Sequence, residues 1–185
     1  MPNWCANSLK LVANTDEQRE ILKFIRDNCE NQEFGLFDHF IPCPEDLKNS
    51  TKGYPADPNE EANKEKHGYP TWYEFNTNEW GTKWDAANIC IENFDGDSLI
   101  ITFDTAWSPP KQFYHKMYAN EWELTASFIE AGDDYIGYFK ENKYTSEPFN
   151  DNNFPEDYCY EHEINRFESY FDSVGISHHP AHTGG

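Results

Sequence analysis

Residues 88–107 read NICIENFDGDSLIITFDTAW. Two short runs rich in Ile, Phe and Thr, one from Asn88 and one from Leu99, are joined by Asp95-Gly96-Asp97. Glycine takes positive φ without a Cβ clash, so this junction predicts a β-hairpin. Strand alternation places Leu99, Ile101 and Phe103 on one face, with Ile89 and Ile91 pairing across from them in a well-defined register.

Working toward the N-terminus, residues 5–12 alternate, with Cys5, Asn7, Leu9 and Leu11 on one side and Trp4, Ala6, Ser8, Lys10 and Val12 on the other, as in a strand. Thr15, with Gln18 three residues on, caps a helix whose apolar stripe is Ile21, Leu22, Ile25 and Cys29. A short extended piece is expected at 37–41, broken by Pro42 and Pro44. A polar insertion at about 48–70 follows, either loop or surface helix; Asp57, Pro58 and Glu60 read as a start and Gly68 as a stop. Thr71 and Glu74 then open an aromatic helix through Trp72, Tyr73 and Phe75, closed by Gly81.

On the C-terminal side, SPPKQFYHKMY predicts a helix from Ser108 with Pro109 and Pro110 in its first turn and Phe113, Met117 and Tyr118 buried. ELTASFIEA and DYIGYFKEN form a second hairpin around Gly132. Tyr160, Ile164, Phe167, Phe171 and Val174 fall at helical spacing, which predicts a long closing helix stopped by Gly175. The order is strand, helix, two strands, helix, strand, plus an appended strand and helix. That is an α+β fold, a ferredoxin-like split βαβ sandwich with helices packed on an antiparallel sheet. The core is expected over 1–143, with an acidic helical extension and tail over 144–185.

Composition narrows the function classes. The chain of 185 residues has 34 acidic against 14 basic side chains, a formal charge of −20. A nucleic-acid binder needs a basic stripe to displace counterions from phosphates, so direct nucleic-acid binding is not expected, nor is attraction to an anionic membrane. Aromatic residues make up 17% of the chain, so Phe, Tyr and Trp supply much of the buried area. The five cysteines are odd in number and form no CxxC pair, which points to a reducing cytoplasm rather than a disulfide framework. The start, MPNWCANSLK, lacks a basic segment followed by an apolar one, and no apolar run approaches about 18 residues, so neither export nor a membrane span is expected.

The phrases MPNWCANSLKL, IPCPEDL, WGTKWDA, FDTAWSPP and FIEAGDDYIGYFKENK stand in this order between residues 1 and 143. In them the chain resembles the YubB-type ferredoxin-like family of phages, plasmids and bacterial genomes. The resemblance implies a fold and a mobile-element setting. It implies no established reaction and no iron–sulfur cluster. The insertion and the acidic C-terminal helix depart from the shared core.

The densest chemical signal is NEWGTKWDAAN, residues 78–88. Trp80, Lys83, Trp84 and Asp85, with Trp107, are the candidate ligand-binding residues: a cation to meet an anion and indoles to stack on a flat group, which suits a small nucleotide-like ligand. The plainer alternative makes Trp80 and Trp84 core pieces and Lys83–Asp85 a local ion pair. Pro109 and Pro110 remove two donors from the helix start at Ser108, which disfavours a phosphate cradle there. His39 and His115 have no evident nucleophile beside them, and no P-loop, GxSxG or HExxH spacing occurs. Cys159 and His162, with His178, His179 and His182, make only a poor zinc pattern, so no metal and no cofactor is expected. These readings converge on a non-enzymatic binding protein of a phage or mobile element that sequesters a nucleotide-derived signal of host defence. The alternatives are an uncharacterised enzyme, or an acidic DNA mimic that engages a basic host protein through Glu156, Asp157, Glu161, Glu163, Glu168 and Asp172.

Overall fold

The computed structural model describes residues 3–31, 33–130, 132, 135–148 and 170–178. Its strands are β1 (Trp4–Val12), β2 (Ala87–Phe94), β3 (Ser98–Ala106), β4 (Glu123–Glu130), β5 (Tyr135–Lys140) and β6 (Lys143–Pro148). They form one antiparallel sheet in the order β2-β3-β1-β4-β5-β6. Helix α1 (Asp16–Asn28) follows β1 and helix α6 (Lys111–Ala119) precedes β4. The first four strands therefore have the split βαβ arrangement, and the β5–β6 hairpin extends the sheet beyond residue 143.

The alternation in β1 does what its pattern predicts. Cys5, Leu9 and Leu11 are fully buried, and Leu9 and Leu11 share one core with Leu22 and Ile25 of α1, Phe113 and Met117 of α6, and Leu99, Ile101 and Phe103 of β3. Each such side chain contributes roughly 1.5–3 kcal/mol on leaving water. Thr15 caps α1 by accepting the Gln18 amide at 3.1 Å. On α6 the buried side is Phe113, Tyr114 and Met117; Tyr118 is exposed, and Tyr114 reaches the centre of the sheet to donate to Asn7 Oδ1 at 3.2 Å.

Three other expectations need correction. Residues 36–40 form a helix, α2 (Leu36–Phe40), rather than an extended piece, because its first amides are capped by Asp85, far along the chain. Helix α6 begins at Lys111 and not at Ser108: Pro109 precedes Pro110 and is pushed out of the helical region, and Pro110 itself has ψ 66°. The β2–β3 hairpin has two register shifts, so Ile91 faces Ile101 but Ile89 has no such partner, and the irregular edge discourages pairing with another sheet. The insertion holds a helix, α4 (Glu60–His67), closed by left-handed Gly68, and a further turn, α3 (Glu45–Lys48), precedes it.

On the second face of the sheet, residues 170–178 pack against β1, β4 and β5. Phe171 and Ile176 pack on Ile129 and Ile136, and His178 bridges two strands, with Nδ1 3.0 Å from Ser8 Oγ and Nε2 2.7 Å from Thr125 Oγ1. The His178 carbonyl accepts from Ser127 at 3.0 Å. Of the expected closing helix, only its end at Phe171 and Val174, before left-handed Gly175, lies within the described residues; Tyr160, Ile164 and Phe167 lie outside them. His178→Ala removes the two side-chain bridges. It is expected to cost about 2 kcal/mol, or about 4–8 °C in Tm for a chain of this size, measured by thermal denaturation.

Candidate functional site

The candidate motif is pinned at several points by its own backbone. Helix α5 (Trp72–Glu79) is capped by Thr71, which accepts the Tyr73 amide at 3.3 Å. The chain then turns at Gly81, whose φ is +89° and where an added Cβ would lie 3.0 Å from the amide nitrogens of both Lys111 and Gln112. Only glycine allows this approach to the start of α6. There the Trp80 carbonyl accepts the Phe113 amide at 3.1 Å, and Ser108 Oγ donates to the Gly81 carbonyl at 3.2 Å. Buried Thr82 donates to the Ala106 carbonyl at 3.2 Å, which ties the motif to the end of β3. An amide at the start of α6 is thus already satisfied from within the protein.

This backbone sends the five candidate side chains in two directions. Trp80 goes inward: it packs on Phe37 and Phe75 and donates its indole N–H to the Ile41 carbonyl at 3.0 Å. Asp85 also turns inward. Its Oδ1 accepts from the Phe37 and Ala86 amides at 2.8 and 2.7 Å, and its Oδ2 from the Asp38 amide at 2.9 Å. Burial pushes this carboxyl above its ordinary value, against the pull of the three amides. Lys83, Trp84 and Trp107 go outward together, and among the described residues no carboxylate pairs with Lys83, so the local Lys83–Asp85 ion pair is not formed.

The outward group gains a member that sequence reasoning missed. Trp4, Trp84 and Trp107 are 43%, 38% and 44% exposed, and their rings form a chain, with centroids 6.3 Å apart for Trp4–Trp84 and 6.4 Å for the near-parallel Trp84–Trp107 pair. The Lys83 ammonium lies 4.4 Å from the Trp84 centroid and 5.1 Å from that of Trp107, within cation–π reach of both. Trp4 arrives here because it faces Ala106 in the β1–β3 register, one residue before Trp107. Contiguous exposed indoles are a costly surface to leave wet.

Trp107 has φ +68°, a conformation that bulky side chains rarely adopt. The strain, about 1–2 kcal/mol, is retained at the residue that completes the ring chain. Trp107→Gly relieves it, offsetting the lost partial burial, so its stability is expected to stay within about 1 kcal/mol of wild type. Chemical denaturation checks this and leaves the variant usable for binding assays.

Under Trp84 runs an open groove of about 340 Å³, lined by parts of Trp72, Trp80, Trp84 and Asp85 together with Asn76 and Lys48. Two of the five candidate residues, Trp80 and Asp85, thus touch the groove but not the exposed platform. His39 stacks on Phe24 and His115 meets Asn142 Oδ1 at 2.8 Å. Among the described residues no group of three or more His, Cys, Asp or Glu could hold a metal ion, and no helix is long and apolar enough to cross a membrane. Cys159, His162, His179 and His182 lie outside the described residues, as do Glu156, Asp157, Glu161, Glu163 and Glu168 of the acidic face; Asp172 is exposed.

No family model and no curated protein matches this sequence. Among solved structures, the chain has a partial likeness to the crystal structure of a protein api92 from Yersinia pseudotuberculosis, family model DUF1281. The identity is 10%, the TM-score 0.47, and the match covers 81% of this chain and 99% of that one.

Proposed function

We propose that the protein is a non-enzymatic binding protein of a phage or other mobile element, which holds a flat, nucleotide-like small molecule against Trp84 and Trp107 and so withdraws a signal from host defence. The observation that supports this reading is the Lys83 ammonium lying over both exposed indoles. Flat rings stack on indole faces whatever their substituents, with roughly 1–3 kcal/mol per base, and the ammonium supplies the contact for an adjacent phosphate. A chain of formal charge −20 repels polyanions, which favours a ligand with much flat area and few phosphates.

Isothermal titration of nucleoside monophosphates and cyclic dinucleotides into the wild-type protein tests the reading. Heat and a raised melting temperature with at least one of them are expected. Because stacking dominates and the surface cation is screened by salt, the affinity is expected to change by less than about tenfold between 50 and 500 mM salt. No heat and an unchanged melting temperature across the panel would refute the proposal; a steep salt dependence would move attention to the acidic face.

A further inference from the structure

The chain of exposed indoles is not one flat surface. The planes of Trp84 and Trp107 differ by 26°, but those of Trp4 and Trp84 by 40°. We propose that this platform takes two bases joined by a single phosphodiester, one on the Trp84–Trp107 pair and the other on Trp4. The inference rests on the nucleotide reading of the same surface and narrows its ligand class to a dinucleotide.

A nucleobase is rigid and planar. One that lies parallel to Trp84 is inclined to Trp4 and cannot stack on both. Trp4 is nevertheless as exposed as Trp84 and Trp107, and it adjoins Trp84 at a centroid distance of 6.3 Å. It is therefore a second stacking surface. The spacing is well beyond the roughly 3.4 Å between stacked bases of one strand, so two linked bases reach these rings splayed apart. Splayed bases, each against its own aromatic side chain, are the form in which single strands are commonly held.

Charge sets the number of phosphates. The Lys83 ammonium lies over Trp84 and Trp107, and among the described residues no ammonium or guanidinium lies over Trp4. One phosphate thus meets a cation, and any further one faces a chain of formal charge −20 without one. A phosphodiester carries a single charge, whereas a terminal phosphate carries about 1.5–2 at neutral pH. Two bases around one phosphodiester combine the most stacking with the least repulsion. The link also makes the second stacking contact intramolecular, so it adds affinity without a second loss of translational freedom.

The test is isothermal titration of the wild-type protein with AMP, the dinucleoside monophosphate ApA and the tetranucleotide ApApApA. ApA is expected to bind at least about tenfold more tightly than AMP, and the tetranucleotide to match ApA. Trp4→Ala is expected to remove most of the advantage of ApA over AMP. Should that variant not fold, the Trp4 indole N–H resonance of the wild-type protein decides: it is expected to shift as fully as that of Trp84 with ApA, and more weakly with AMP. Equal affinities for AMP and ApA would overturn the two-base assignment and leave the nucleotide reading of Trp84 and Trp107 standing. A tetranucleotide that binds about tenfold more tightly than ApA would also overturn it, since the surface would then be a track for longer strands. Binding of none of the three would overturn it too and, if cyclic dinucleotides also gave no heat, the nucleotide reading with it.

Discussion

Trp84→Ala combined with Trp107→Ala is expected to lower nucleotide affinity by at least about thirtyfold, because each lost stacking contact is worth roughly 1–3 kcal/mol. The fold is expected to survive. Both rings are well exposed, neither belongs to the main core, and the strained backbone at residue 107 gains nothing from its indole. Trp80→Ala is the informative contrast: that ring is 4% exposed and hydrogen-bonded to Ile41, so its removal is expected to cost about 3–5 kcal/mol of stability. Denaturation and titration on the same samples separate the two outcomes. If the double variant binds as wild type does, the exposed indoles are not the recognition surface.

Asp85→Ala carries the largest expected stability effect among the polar residues of the motif. The carboxylate holds the Phe37, Asp38 and Ala86 amides, and its loss leaves three donors to find water or go unpaired. Some of that cost is offset because a buried charge disappears as well, so the net loss is expected at about 3 kcal/mol, or about 6–12 °C in Tm. Gly35→Ala is expected to act in the same direction, since a Cβ there would lie 2.6 Å from Asp85 Oδ2. The pH dependence has a definite sign. Burial raises the folded pKa of Asp85 above its unfolded value, so the folded state binds this proton more tightly. The contribution of Asp85 is therefore most favourable below the unfolded value and is lost as pH rises through the window up to the raised folded value. The alanine variant lacks that component, and the difference between the two stability–pH curves in mildly acidic solution measures it.

Much of the fold was legible because its signals are local. The alternation of Leu9 and Leu11, the Asp-Gly-Asp turn and the Thr15 cap each depend on neighbours within a few residues, and together they impose the strand order. Helix α2 was hidden for the opposite reason: the carboxylate that caps it comes from Asp85, 48 residues beyond Phe37. Strand β6 was missed because its two-residue turn, Glu141-Asn142, has both residues at positive φ with a glutamate in a place where glycine or asparagine is usual.

The site was half legible. Trp80 and Trp84 look equivalent in sequence, but the left-handed turn at Gly81 sends one ring inward and the other out. Trp4 is recruited by a register, Trp4 opposite Ala106, that exists only once β1 and β3 have paired. The groove had a readable trace, since Trp72, Asn76 and Trp80 are spaced four apart on or at the end of α5 and share a face of it.

The most direct measurement is the response of the indole N–H resonances of the six tryptophans to added nucleotide. Trp84 and Trp107 are expected to shift with saturation, Trp4 more weakly, while Trp122, buried against Phe40, stays fixed. Saturating nucleotide that leaves Trp84 and Trp107 unmoved would contradict the account.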